Sequence, residues 1–114
     1  MRRLALVLLL AALPLAAAEL DGEWNFTWDT EGGVRTNTFT FVQKGDKLTA
    51  TMGDTRLEGT VNGDSFELTG KHYSPEAGYS ADLEMTGKRD GDKLTGKGDW
   101  DSHLSTFTAV RAKQ

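Results

Sequence analysis

The sequence predicts an all-β domain, a single eight-stranded antiparallel up-and-down β-barrel. Three observations predict it. Apolar and polar residues alternate with a period of two in eight short segments, glycine-containing turn sequences separate several of them, and no segment after residue 18 has helical spacing. Such alternation gives a sheet with one apolar face. Closing the sheet into a barrel covers that face and removes the two free edges.

Residues 1–18 have the three parts of a secretory signal peptide. Arg2 and Arg3 give a positive start, an apolar run covers residues 4–13, and Ala16–Ala18 are the small residues that signal peptidase requires. The run ends at a proline and is shorter than the about 20 residues that a membrane-spanning helix needs. We therefore expect a cleaved leader and an exported protein, periplasmic or extracellular.

Residues 19–114 are predicted to form one β-barrel domain. Without the two arginines of the leader, 11 of the 13 Lys and Arg residues face 17 Asp and Glu residues, a net charge of −6. This charge disfavours nucleic acid and anionic membrane surfaces as partners, and we expect no membrane insertion after cleavage. The chain has no cysteine, so we expect neither a disulfide nor a lipid-attached precursor.

Each predicted strand has an apolar parity, which we assign to the inside of the barrel, and an opposite parity that is polar almost throughout. Nine of the 10 aromatic residues have the inward parity, and Tyr73 is assigned to a loop. Strand by strand, the inward residues are Trp24, Phe26 and Trp28; Phe39 and Phe41; Leu48, Ala50 and Met52; Leu57, Gly59 and Val61; Phe66, Leu68 and Gly70; Tyr79, Ala81, Leu83 and Met85; Leu94, Gly96, Gly98 and Trp100; and Phe107 and Ala109.

The turn sequences predict which links share an end of the barrel. Tight hairpins at residues 44–46, 62–64 and 90–92 each contain a glycine, which suits the positive φ of a primed turn. In a meander these turns share one end with Trp24 and Arg111. The links at the other, open end are residues 28–34, 52–55, 71–79 and 100–105.

The acidic stretch at residues 89–103 has the composition of a metal site, with four aspartates and one histidine. A calcium loop, however, needs acidic residues at alternate positions, a glycine at the sixth and a distant glutamate. Here Gly91 lies directly between two aspartates, and no glutamate follows. Zinc would need His72 and His103, which lack the short spacing of a zinc site. We predict turns and surface here, with no metal and no cofactor.

The chain also resembles a known family. Gly22-x-Trp24 in the first strand, with Arg111 near the end of the last, resembles the signature of the lipocalin and avidin-like (calycin) barrels. The segments F-x-F-x-Q-x-G-D-x-L-T, G-T-V-x-G-D, G-D-x-L-T-G and F-T-A-V-R extend the similarity to small secreted bacterial lipocalin-like domains. The resemblance implies that Trp24 packs at the closed end beneath Arg111, so we assign Gly22, Trp24 and Arg111 to structural closure.

A ligand site is expected at the open end. Predicted longer loops at residues 72–79 and 100–104 carry both histidines, both tyrosines and Trp100, and binding residues concentrate on loops and at barrel mouths. The interior glycines could leave space for a ligand, or could relieve strain in a curved sheet. The candidate ligand-binding residues are Trp28, Phe39, Phe41, His72, Tyr79, Trp100 and His103.

These observations favour a non-catalytic binding protein that holds a small apolar or aromatic ligand. The alternative is a protein-interaction barrel such as a secreted protease inhibitor, because small secreted bacterial metalloprotease inhibitors have a similar barrel. Those inhibitors carry a disulfide and a protruding N-terminal arm, whereas here Gly22 begins the first strand four residues after the predicted cleavage site. We do not expect an enzyme, because the sequence has no cysteine and no strand–turn–helix serine motif.

The mature protein is expected to begin at Glu19, because Ala16–Ala18 provide the small residues before the cleaved bond. N-terminal sequencing of the exported protein checks this. A sequence that starts at Met1 would contradict it.

Overall fold

The structure is a computed structural model that describes residues 19–112, and the predicted leader, residues 1–18, lies outside the described residues. The described chain is a meander in which each strand pairs with the next in antiparallel orientation. No helix within this part of the chain is long and apolar enough to cross a membrane. The strands are β1 (Gly22–Thr30), β2 (Gly33–Lys44), β3 (Lys47–Met52), β4 (Thr55–Asn62), β5 (Ser65–Ser74), β6 (Tyr79–Asp90), β7 (Lys93–Trp100) and β8 (His103–Arg111).

The first and last strands also pair, and this pairing closes the sheet into a barrel. Trp24 on β1 lies opposite Arg111 on β8, and Phe26 lies opposite Ala109. The predicted eight-stranded antiparallel up-and-down barrel is confirmed. Every strand from β1 to β8 therefore has a neighbour on both sides, so the barrel has no free edge at which another strand could add.

The core is a set of aromatic rings around Phe26. Its ring centroid lies 5.2 Å from that of Phe39, 5.0 Å from Phe107, 5.9 Å from Trp28 and 6.0 Å from Phe41. The Trp28 ring is stacked on that of Phe26 and the other three are tilted or edge-on to it, at distances that aromatic pairs prefer. Because the rings come from β1, β2 and β8, they hold the closing strand pair together from the inside.

The closed end is sealed by Trp24 and Arg111, as the sequence predicts. The Arg111 guanidinium carbon lies 4.3 Å from the centre of the buried Trp24 ring, which is a cation–π contact. Trp24 Nε1 donates to the Leu20 carbonyl oxygen at 3.0 Å, and Arg111 Nη1 donates to that of Asp21 at 2.9 Å. Arg111 Nη2 also donates to the carbonyl oxygen of Glu19.

The short segment before β1 completes this seal. Leu20 is buried in the core cluster, and its backbone N–H donates to Gln43 Oε1 at 3.1 Å. In turn the Gln43 backbone N–H donates to Asp21 Oδ1 at 2.6 Å. Residues 19–21 therefore fold across the end of the barrel and leave the opposite end as the way into its interior.

The link between β5 and β6 is shorter than predicted. β5 continues to Ser74, so the turn comprises only residues 75–78 and the predicted loop at 72–79 is wrong. The backbone pairing of β5 with β6 extends beyond the apolar part of β5, and there His72 lies opposite Ala81. Tyr73, also predicted in a loop, lies on β5 with its side chain outward and exposed.

The interior glycines allow the neighbouring strand and side chains to approach closely, so the space beside each glycine is filled. A Cβ added at Gly59 would lie 1.7 Å from the Glu67 carbonyl oxygen. At Gly96 it would lie 2.7 Å from the Phe107 ring, and at Gly98 2.8 Å from the Trp28 ring. Of the two alternatives raised by the sequence, close packing in a curved sheet is therefore the one found at these positions.

The acidic stretch at residues 89–103 is divided between the two ends of the barrel. Asp90 ends β6 and Asp92 lies in the turn that follows at the closed end, while Asp101 and His103 lie at the open end beyond β7. The 8 residues of β7 separate them by roughly 25 Å, at about 3.3 Å a residue. Among residues 19–112, no group of three or more His, Cys, Asp or Glu side chains could hold a metal ion.

Trp24→Ala should lower the free energy of unfolding by about 3–5 kcal/mol, because it removes a fully buried aromatic side chain. Arg111→Ala should lower it by less, since that side chain is partly exposed. Urea unfolding of both variants and of the double variant measures the coupling between them. Val110→Ala, on the exposed outer face of β8, is the control and should have little effect. Strict additivity of the two single effects would contradict the closing contact.

Candidate functional site

A cavity of about 470 Å³ opens at the end of the barrel opposite Trp24. Its buried walls include Trp28, Phe39 and Leu83, and its volume lies within the range of small-molecule sites, about 300–1,000 Å³. Most of the residues predicted as the ligand site line this cavity. They are Trp28, Phe39, His72, Tyr79, Trp100 and His103.

Phe41, the remaining predicted site residue, does not line the cavity. It is buried and pairs with Gly22 at the closed end. Its ring centroid lies 6.3 Å from that of Trp24 and 5.8 Å from that of Phe66. The inward parity of Phe41 was correct, but its assignment to the open end is wrong, because on β2 Phe41 lies two residues farther from the mouth than Phe39.

The rim is built around Trp100, at the end of β7. Its ring centroid lies 5.3 Å from that of Tyr79, and its Nε1 donates to the His72 carbonyl oxygen at 2.9 Å. The Tyr79 hydroxyl donates to Asp101 Oδ2, and this hydrogen bond raises the pKa of Tyr79. These contacts hold two aromatic rings side by side at the entrance.

The turn beside Trp100 is tight and has unusual backbone geometry. Only residues 101–102 separate β7 from β8, so the predicted loop at 100–104 is wrong. Asp101 has φ 51° and Ser102 has φ 68°, the left-handed region that both central residues of a type I′ turn need and that glycine adopts more readily. His103 Nδ1 donates to the Asp101 carbonyl oxygen at 3.0 Å. The rim is therefore held in a conformation that costs free energy.

His72 brings a half-buried imidazole to the cavity wall. Its Nδ1 lies 2.8 Å from the hydroxyl oxygen of the buried Thr55, a hydrogen-bonding distance. Burial lowers the pKa of His72 below its ordinary value of 6.5, so the neutral imidazole is favoured at neutral pH. His72 therefore offers the cavity a polar, uncharged edge.

Several polar residues in the wall were not predicted from the sequence. After Phe39, the inward parity of β2 continues toward the mouth as Asn37 and Arg35, and Asn37 Oδ1 accepts from Trp28 Nε1 at 3.3 Å. The sequence contains a signal for these residues, because a polar residue at an inward position is incompatible with a filled apolar core. The further polar residues that line the cavity and were missed as site residues are Thr30, Glu31, Arg35, Asn37, Ser74, Glu76 and Ser105.

An ion pair joins two distant parts of the mouth. Arg35 Nη2 lies 2.8 Å from Glu76 Oε2, and Arg35 Nε lies 3.5 Å from Glu76 Oε1. Arg35 belongs to β2 and Glu76 to the turn between β5 and β6, so the pair crosses the entrance. The Arg35 and Glu76 side chains are 45% and 71% exposed, so the pair adds at most about 1 kcal/mol to stability.

A larger depression, of about 660 Å³, lies on the outside of the barrel over β5, β6 and β7. Most of its lining consists of outward polar side chains, among them Thr60, Thr86 and Lys97. It lacks the enclosed aromatic wall of the open-end cavity. We therefore place the candidate site at the open end, where aromatic walls and a polar rim can hold a small molecule by packing and hydrogen bonds.

Fold and site together define a closed eight-stranded antiparallel β-barrel with one cavity at its open end. The chain is similar in fold to a solved structure of a redesigned β-barrel, with a TM-score of 0.65 and 19% sequence identity. The similarity covers 86% of this chain and 96% of that one. No protein-family model matches the sequence, and no curated protein matches it.

Stability should fall as the pH drops below about 6.5, in part through His72. The pKa of His72 is lowered in the folded state, so as the pH falls the unfolded chain takes up this proton before the folded chain does. Proton uptake by the unfolded chain favours unfolding. The stability that the neutral His72 contributes above about pH 6.5 is therefore lost as the pH falls. Urea unfolding of the wild type and of His72→Gln at about pH 8 and about pH 5.5 measures the difference. The variant should lose less stability than the wild type over this range, and an equal loss would contradict the assignment.

Proposed function

We propose that this protein is an exported, non-catalytic binding protein that holds a small apolar or aromatic ligand at the open end of its barrel. The observation that carries the proposal is the cavity of about 470 Å³ with Trp28, Phe39 and Trp100 in its walls. Apolar walls with a few polar groups at the rim are typical of small-molecule sites.

The two ends of the barrel differ in a way that supports this function. At the closed end, Trp24 and Leu20 are buried, and Arg111 covers the Trp24 ring. At the open end, the inward side chains include Ser74 and Ser105, which are too short to fill the barrel. A ligand would therefore enter at one end, and its apolar part would rest on the aromatic core.

The finer family assignment is part of the proposal. The Trp24–Arg111 contact is the arrangement implied by the resemblance to small secreted bacterial lipocalin-like domains, and it supports membership of that group. Export rests on the sequence pattern of residues 1–18. A protease inhibitor is less well supported, because residues 19–21 pack against the closed end and do not project as an arm.

A neutral apolar fluorophore, N-phenyl-1-naphthylamine, should bind the native protein and quench its tryptophan emission. Trp100→Ala should weaken binding by about tenfold, equivalent to about 1.4 kcal/mol, because it removes an aromatic wall of the cavity. It should also cost less stability than Trp24→Ala, since Trp100 is only partly buried. Fluorescence titration and urea unfolding measure the two effects.

Tyr73→Ala is the matched control for this experiment. It removes an aromatic side chain from the outer face of β5, away from the cavity, and should leave fluorophore binding unchanged. Absence of binding to the wild type, together with equal loss of stability for the two tryptophan variants, would indicate a filled core and contradict the proposed function.

A further inference from the structure

We propose that the ligand of the open-end cavity is an apolar carboxylic acid, whose carboxylate replaces that of Glu76 on Arg35. This inference rests on the proposed function and adds the chemical class of the ligand. In the present structure, Glu76 then occupies the place of the ligand's acidic group. The Glu76 carboxylate therefore competes with the ligand carboxylate for Arg35.

The position of Arg35 is the first support. On β2 it has the same inward parity as Phe39, and it lies directly opposite Trp28 in the pairing of β1 with β2. Directly opposed residues on one face of a sheet have Cβ atoms about 5 Å apart. An acid bound to Arg35 would therefore place its apolar body against the Trp28 indole and, deeper in the barrel, against Phe39.

The guanidinium is also held by its surroundings. Arg35 Nη1 donates to the Val34 carbonyl oxygen at 3.2 Å. A Cβ at Gly32 would lie 3.3 Å from Nη2, and one at Gly33 would lie 3.4 Å from Nη1, so the glycine turn leaves room for the guanidinium. Of the described residues that line the cavity, Arg35 is the one lysine or arginine. A ligand anion would therefore pair with Arg35.

The geometry of the existing pair shows that this guanidinium can donate to a carboxylate through two of its nitrogens. Nε and Nη2 of Arg35 lie 3.5 Å and 2.8 Å from the two different oxygens of Glu76. Contact of two guanidinium nitrogens with two carboxylate oxygens is the geometry by which arginine recognises a planar anion. A ligand carboxylate could make the same contact.

Glu76 can leave without disrupting its turn. The turn at residues 75–78 is held by the backbone N–H of Gly78, which donates to the Ser74 carbonyl oxygen at 2.7 Å, and by that of Ala77, which donates to Ser74 Oγ at 3.2 Å. Neither bond involves the Glu76 side chain. Because that side chain is 71% exposed, rotating it into water breaks only a weak surface pair.

An organic cation is the competing class of ligand, since Glu31 and Glu76 also line the cavity. All three side chains are exposed, but the two glutamates belong to turns, whereas Arg35 lies on a strand at a position of inward parity. A cation in the cavity would meet Arg35 at close range. The placement of the charges therefore favours an anion.

Three compounds of nearly equal shape test the charge preference by calorimetric titration at about pH 8: 1-naphthoate, the neutral 1-naphthamide and the cationic 1-naphthylmethylamine. The wild type should bind the acid at least about fivefold more tightly than the amide, and the amine most weakly. Glu76→Gln should tighten binding of the acid several-fold and leave that of the amide unchanged. Arg35→Met should remove the preference for the acid while retaining binding of the amide.

Arg56→Met is the matched control, because it breaks an exposed ion pair of the same kind, Arg56 with Glu58 at 2.9 Å, away from the cavity. It should behave as the wild type. Equal binding of acid and amide by the wild type, or tightest binding of the amine, would overturn the carboxylic acid assignment while leaving a binding function in place. Failure of all three compounds and of N-phenyl-1-naphthylamine to bind would overturn the proposed function and this inference together.

Discussion

The pairing of β1 with β8 is the contact on which the rest of the molecule depends. In an open sheet, the rings of Trp24, Phe26 and Trp28 would be exposed to water on one face. Closure places Phe26 within 6.0 Å of rings on β2 and β8, so the seam of the barrel is also the centre of its core. The same pairing puts Arg111 over Trp24 and seals one end, which leaves the other as the entrance.

The interior changes from apolar to polar along the barrel, and this gradient creates the site. On β2, the inward residues from the closed end to the mouth are Phe41, Phe39, Asn37 and Arg35. On β8, they pass from Ala109 and Phe107 to the polar residues Ser105 and His103. Aromatic rings fill the barrel where the inward parity is apolar. Near the mouth the polar side chains meet solvent, and a cavity remains.

The sequence predicts the fold well because period-two alternation and tight turns are local signals, and closure follows from the need to cover one apolar face. Parity shows which residues face inward, but it does not show how deep each one lies. The depth of Phe41 follows from its closeness to the turn at residues 44–46, a distance along the strand that parity alone does not express. The pair of Arg35 and Glu76 joins residues 41 positions apart, and no local pattern indicates a contact over that separation.

Several residues at the open end have a backbone conformation or a position that is unfavourable for stability. Asp101 and Ser102 adopt left-handed backbone conformations, Arg35 is a charged residue on an inward parity, and His72 is a half-buried imidazole. At the closed end, the charged residue on the inward parity, Arg111, instead covers the buried Trp24 ring and donates to the Asp21 carbonyl oxygen, so it belongs to a filled seal. Features of this kind that border an open cavity mark a site where something other than stability has shaped the residues. The cavity at that place gives those features a common physical explanation.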